Sequence, residues 1–260
     1  MSYIALTFKN LAENEILQAQ LGSLGYSFEF NENDFVAFIE AENHNTEVTN
    51  NLGFPFTTQS IEKQNWNKLW EQNFKPITIQ DKVLIRASFH QPQPAFTHQI
   101  LVNPEMSFGT GHHATTYQMI ELMLNLNFSG KKVLDFGCGT GILAIMAEKL
   151  GANNILAIDN DDWAITNTNN NIKTNNCQHI NTQLIDNFED LGYFDVVLAN
   201  INLHVIQNSL TKMLQALKPN GTLLVSGILE QDLAILKRLS NVSINNYTSK
   251  DGWLCLEYKI

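Results

Sequence analysis

Residues 133–141 read Val-Leu-Asp-Phe-Gly-Cys-Gly-Thr-Gly, an apolar run with the pattern of a buried strand that opens into alternating glycines. A helix-like pattern from Ile142 to Leu150 follows at once. Only residues without a Cβ let a chain turn this tightly, and the amides at the start of the helix offer donors to a polar ligand. A second apolar run, Asn154 to Ile158, ends on Asp159, whose carboxylate can accept hydrogen bonds from both hydroxyls of a ribose. Strand, glycine turn, helix, strand and acid in this order make a βαβ unit built for a nucleotide-like ligand. The Gly-x-Gly-x-Gly spacing lacks the glycine that would complete the pyrophosphate-wrapping Gly-x-Gly-x-x-Gly form.

The rest of the chain is read outward from this unit. The amino-terminal part has a βαββ layout: a strand over Tyr3–Phe8, a helix over Ala12–Leu21, and strands over Tyr26–Phe30 and Phe35–Glu40. This predicts a small α+β domain of split βαβ type over residues 1–58. Trp66, Trp70 and Phe74 recur every four residues and predict an amphipathic helix that Pro76 stops, a helical linker over 59–76. Residues 77–260 form the main domain. Short strands near Val83–Ile85 and Ile100–Val102 come first, then a helix to about Leu126. Beyond the glycine unit lie strands at Phe194–Ala199, Thr222–Ser226, Val242–Tyr247 and Trp253–Tyr258, with helices over Asp161–Lys173, Leu203–Leu217 and Gln231–Leu239. The alternation predicts an α/β fold with a doubly wound, mostly parallel sheet. The asparagines at 169–171 and 175–176 read as compositional bias without a function.

Composition narrows the partners. A formal charge of -10 disfavours nucleic acid, whose phosphates need a surplus of lysine and arginine, and favours a basic partner. No apolar run reaches the roughly 20 residues of a membrane span, and Lys9-Asn10 interrupts the first apolar stretch, so the chain reads as cytoplasmic. Cys138, Cys177 and Cys255 are dispersed and form neither a disulfide framework nor a metal site. A monomer is the expectation.

Two strings together carry a resemblance. The form Leu-Asp-x-Gly-x-Gly-x-Gly is similar to the first motif of class I S-adenosylmethionine-dependent methyltransferases. Residues 108–116, Phe-Gly-Thr-Gly-His-His-Ala-Thr-Thr, stand just ahead of it. That pairing closely resembles the bacterial family that methylates ribosomal protein eleven of the large subunit. Further matches are the 65–76 stretch, Val197-Leu198-Ala199-Asn200-Ile201 and Ser226-Gly227-Ile228-Leu229, together about the last three quarters of the chain. The amino-terminal part matches in layout and position only.

The resemblance implies a Rossmann-like methyltransferase domain that uses S-adenosyl-L-methionine to methylate lysine side chains, and α-amino groups, of the ribosomal protein, with the small domain docking it. Cofactor-binding roles then fall on Phe108, Thr116, Gly137, Gly139, Asp159 and Asn200. For Thr116 the resemblance alone supplies the role; a threonine opening a helix can equally cap it. Catalytic roles fall on His113, with His112 as its alternative, to accept the amine proton through water, and on Asn200 and Thr115 to position the amine. Asn200 is followed by Ile201-Asn202 and not by Pro-Pro-aromatic, which leaves room for a tetrahedral amine acceptor. An RNA methyltransferase and a catalytically silent ribosome-assembly module are the alternatives. A basic stripe would favour the first, and intact Gly137, Gly139, Asp159 and Asn200 oppose the second.

Overall fold

The computed structural model describes residues 2–9, 14–31, 34–62, 75–102, 111–185, 191–239 and 241–260. Trp66, Trp70, Phe74 and the segment 103–110, with Phe108, lie outside these residues. The chain divides into two compact units, residues 1–73 and 74–260.

In the first unit, β1 (Ser2–Phe8), α1 (Glu15–Ser23), β2 (Ser27–Asn31), β3 (Asp34–Glu40), α2 (Thr46–Asn50) and β4 (Thr57–Glu62) form an antiparallel sheet in the order β2-β3-β1-β4. β3 lies between β1 and β2, which α1 joins, so the expected split βαβ arrangement is present. Strict alternation in β3 buries Phe35, Ala37 and Ile39, and these meet Leu17 and Leu21, one turn apart on α1. Phe8 stacks on Phe35 with centroids 4.9 Å apart. Asn14 caps α1 by accepting the Leu17 N–H at 3.0 Å. The expected helical linker began at residue 59, but residues 59–62 belong to β4, whose pairing with β1 completes the sheet. Its polar Thr-Thr-Gln-Ser run hides it from an apolar pattern.

The second unit opens with a three-stranded sheet, β5 (Ile77–Ile79), β6 (Val83–Arg86) and β7 (His98–Leu101), in chain order. After α3 (Ala114–Met123) come β8 (Lys132–Phe136), α4 (Ile142–Lys149), β9 (Asn154–Asp159), α5 (Asp162–Thr174), β10 (Ile180–Leu184), β11 (Phe194–Asn200), α6 (Leu203–Gln215), β12 (Leu217–Leu229), α7 (Leu233–Leu239), β13 (Ile244–Lys250) and β14 (Trp253–Lys259). The large sheet has the order β10-β9-β8-β11-β12-β14-β13, with β14 antiparallel to both its neighbours. Successive strand residues serve opposite faces: Val196 and Leu198 join the core under α3 and α4, while Val197 and Ala199 join the one under α6. The strand order reverses between β8 and β11, so the carboxyl ends of these two strands flank the crevice of a doubly wound sheet.

Three local expectations change. The strand expected over Thr222–Ser226 runs in β12 from Leu217 to Leu229, with a bulge over residues 218–221, where Phe194 pairs Leu217 and Val196 pairs Thr222. The exposed edge strand β10, with Asn181, Thr182 and Gln183 in its middle, carries no apolar run to announce it. The Gln231 helix starts as a 3₁₀ turn over Glu230–Asp232 before α7. Among the described residues no helix is long and apolar enough to cross a membrane.

Candidate cofactor and acceptor site

The glycine turn leaves β8 with φ of 74° at Gly137, 55° at Gly139 and 74° at Gly141, values an L side chain rarely adopts. Space excludes a Cβ as well. At Gly137 it would lie 2.4 Å from Ile201 Cγ2, and at Gly141 2.7 Å from Thr168 Cγ2. The Gly137 and Cys138 amides both donate to the Ile158 carbonyl, at 2.9 and 3.0 Å, which moors the turn to β9. Burial pushes the Cys138 thiol up, so it stays neutral and fills space.

Asp159 ends β9 as expected and meets the turn directly. Its Oδ2 accepts the Gly139 N–H at 2.9 Å and its Oδ1 accepts the Asp161 N–H at 3.1 Å. Each oxygen keeps acceptor capacity beyond its single backbone donor, which suits a pair of ribose hydroxyls. Gly137, Gly139 and Asp159 therefore form one assembly.

Asp135, in the middle of the β8–turn motif, has no role in the sequence reading. The structure buries it completely, with Oδ2 accepting the Ala144 N–H at 3.0 Å and Oδ1 without a hydrogen-bond partner. Burial pushes its carboxyl up to about 7; the Ala144 amide opposes this and the nearby Asp159 charge adds to it. An acid inside an otherwise apolar strand is the signal that marks it.

Thr116 and Asn200 also come together. Asn200 Nδ2 donates to Thr116 Oγ1 at 3.2 Å, and Asn200 Oδ1 is buried without a partner. The helix cap that Thr116 was equally suited to make belongs to His113, whose Nδ1 accepts the Thr115 N–H at 3.3 Å. Thr115 is fully buried and its hydroxyl lies 2.8 Å from the same His113 Nδ1. The His113 ring meets Trp253 edge to face, with centroids 4.8 Å apart. His112 is exposed and its Nε2 lies 3.1 Å from the Lys75 carbonyl.

Asn200 is held by its successors. The Ile201 N–H donates to Ser226 O at 3.2 Å, and the Ile201 carbonyl lies where a Cβ on Gly227 would be, 2.0 Å away. Asn202 caps α6 by accepting the Val205 N–H at 3.0 Å.

A family model described as ribosomal protein L11 methyltransferase (PrmA) matches residues 7–260. The chain belongs to that family. It is a methyltransferase. The match includes the amino-terminal unit, which the sequence motifs had tied to the family by layout alone. Curated members share 36% identity over 94% of this chain and 90% of the relative (Porphyromonas gingivalis) and 34% over 99% of both (Phocaeicola vulgatus). The crystal structure of a ribosomal protein L11 methylase from Lactobacillus delbrueckii subsp. bulgaricus is 27% identical, with a TM-score of 0.66 over 71% of this chain and 98% of that one.

Proposed function

We propose that this enzyme transfers methyl groups from S-adenosylmethionine to lysine side chains and α-amino groups of ribosomal protein L11. The observation that carries the acceptor assignment is Asn200 Oδ1, a buried acceptor without a partner, on a carboxamide that Thr116 orients beside the glycine turn. A buried acceptor without a donor costs free energy until a ligand supplies one, and an amine N–H is such a donor. The close-packed glycine turn and the carboxylate of Asp159 fit the cofactor: the backbone offers approach without side chains, and Asp159 offers acceptors to the ribose. When bound, the cofactor supplies a sulfonium methyl group open to in-line displacement.

The protein must orient the amine and have it neutral. A lysine with pKa near 10.4 costs about 4.6 kcal/mol to deprotonate at pH 7, against about 1 kcal/mol for an α-amino group near 7.7. Asn200 Oδ1 aligns the nitrogen through one N–H. With Nδ1 accepting from Thr115, the neutral His113 ring carries its hydrogen on Nε2, so the amine proton, passed through water, is taken up at Nδ1, which gives up the Thr115 N–H while the Thr115 hydroxyl turns to accept from it. Phe108 belongs to the cofactor side of this reading. Residues 1–73 dock the substrate, and the acidic chain, acting as a monomer in the cytoplasm, suits a basic ribosomal protein.

The test is to incubate the enzyme with ribosomal protein L11, ribosomal RNA and labelled S-adenosylmethionine. Mass spectrometry is expected to place the label on lysine and α-amino nitrogens. Label confined to the RNA, or none on L11, overturns the reading.

A further inference from the structure

The end of α5, whose asparagines looked like compositional bias, makes a set of hydrogen bonds to backbone. Among the described residues β7 pairs on one side only, with β6; on that side the His98 and Val102 amides donate to Lys82 and Arg86 carbonyls, each at 2.9 Å. The alternation of a strand turns the Leu101 N–H and C=O the other way, toward the open edge. The Asn175 side chain takes both, accepting the N–H at 2.9 Å and donating to the carbonyl at 2.7 Å, as a neighbouring strand would. Its second amide hydrogen goes to the Asn171 carbonyl at 2.8 Å. Farther back along α5, Asn171 Nδ2 donates to the Thr140 carbonyl and Thr168 Oγ1 to the Gly139 carbonyl, both at 2.9 Å. Asn171 and Thr168 are fully buried.

Positions 168, 171 and 175 lie three and four residues apart, on one helical face. That face therefore holds the glycine turn at one end and the exit of β7 at the other. A helix packed through leucine and isoleucine would supply none of these donors. The Thr168 methyl also fills the space that a Cβ on Gly141 would need.

We propose that Thr168, Asn171 and Asn175 are positioning residues for the cofactor: they hold the glycine turn and the end of β7 in the arrangement that S-adenosylmethionine binding uses. The inference rests on the glycine turn being the cofactor site. Thr168→Val keeps the methyl against Gly141 and removes the hydroxyl that donates to Gly139 and meets Cys138 Sγ at 3.4 Å, whereas Thr168→Ser keeps that hydroxyl.

Calorimetric titration of the full chain with S-adenosylmethionine, and steady-state kinetics on L11, decide the matter. Thr168→Val is expected to raise the cofactor Kd and KM roughly tenfold with kcat at saturation nearly unchanged, and Thr168→Ser to restore most of the affinity. A folded Thr168→Val with unaltered Kd, or a Thr168→Ser as weak as the valine variant, overturns the proposal. Asn175→Asp accepts the Leu101 N–H but cannot donate to either carbonyl, and it decides by the same measure if Thr168→Val does not fold. Failure of the unaltered protein to bind S-adenosylmethionine, or full binding by Asp159→Ala, sinks the cofactor site itself and the seam with it.

Discussion

Asn200 Nδ2 and Thr116 Oγ1 are 3.2 Å apart, a hydrogen bond between the carboxyl end of β11 and the first turn of a helix 84 residues earlier in the chain. It fixes which way the carboxamide faces before any substrate arrives. An enzyme that moves a methyl group contributes orientation above all, and a carboxamide already locked has no rotamer freedom left to lose.

Asn200→Ala is therefore expected to lower kcat on L11 roughly 10- to 100-fold, the range for a hydrogen bond that aligns a reacting amine. Thr116→Val, which unlocks the carboxamide without deleting it, should give a smaller loss. Steady-state kinetics with circular dichroism as the folding control provide the measurement. A folded Asn200→Ala with unaltered kcat removes Asn200 from the acceptor site.

Gly227→Ala should disturb the same strand end from behind. Its φ is 91°, and the new Cβ would lie 2.0 Å from the Ile201 carbonyl, so Ile201 and Asn200 must move. The strain is worth at least about 2 kcal/mol, on the order of 5 °C in Tm for a unit of this size, and activity should fall further than stability explains. Gly25→Ala is the control: its φ is 85° but a Cβ there meets nothing within 4 Å, and it should cost about 1 kcal/mol without affecting catalysis. Equal effects from the two variants would show that the Ile201 contact is unimportant.

What the sequence reveals of this architecture follows physical lines. The glycine turn and Asp159 are legible because their chemistry is local: φ above zero and an acid at a strand end both leave marks within a few residues. The Thr116–Asn200 pair is not legible by spacing, since a contact across 84 residues exists only once the sheet is assembled, and the resemblance alone pointed to it. Asn171 and Asn175 read as compositional bias, and Thr168 drew no reading, because their partners are backbone groups, which every residue has. β10 and β4 escape for a related reason: as exposed or edge strands of polar residues they lack the apolar alternation that betrays a buried strand.

Asp135 predicts a pH dependence of stability. Its folded carboxyl is raised to about 7 from an ordinary value of 3.8, so the unfolded chain loses this proton at lower pH than the folded one does. The group's full stability is present below pH 4, declines as pH rises through the interval up to about 7, and is constant above it. Asp135→Asn, which keeps an acceptor for the Ala144 N–H, should flatten that interval in urea melts taken from pH 4.5 to 8. An unchanged slope in the variant would assign the dependence to other groups.

His113 separates into two roles that one substitution cannot distinguish. Its Nδ1 caps α3 and bonds the Thr115 hydroxyl, and its ring rests on Trp253, so His113→Ala removes a cap worth about 1 kcal/mol together with any base. His113→Asn keeps an acceptor suited to the cap and has no group to take up the amine proton. With the unaltered enzyme, the rate on lysine should go on rising with pH as the amine loses its proton, whereas on an α-amino acceptor, with a pKa of about 7.7, it should level off by about pH 8–9. The asparagine variant is expected to retain the Tm within about 1 °C, a loss of a few tenths of a kcal/mol, and to lose lysine methylation roughly tenfold more than α-amino methylation, with cofactor affinity unchanged. Equal losses on the two acceptors would make His113 a capping residue only, leaving water as the base. A lysine rate independent of pH would move the slow step out of the chemistry, and single-turnover rates would then be the ones to compare.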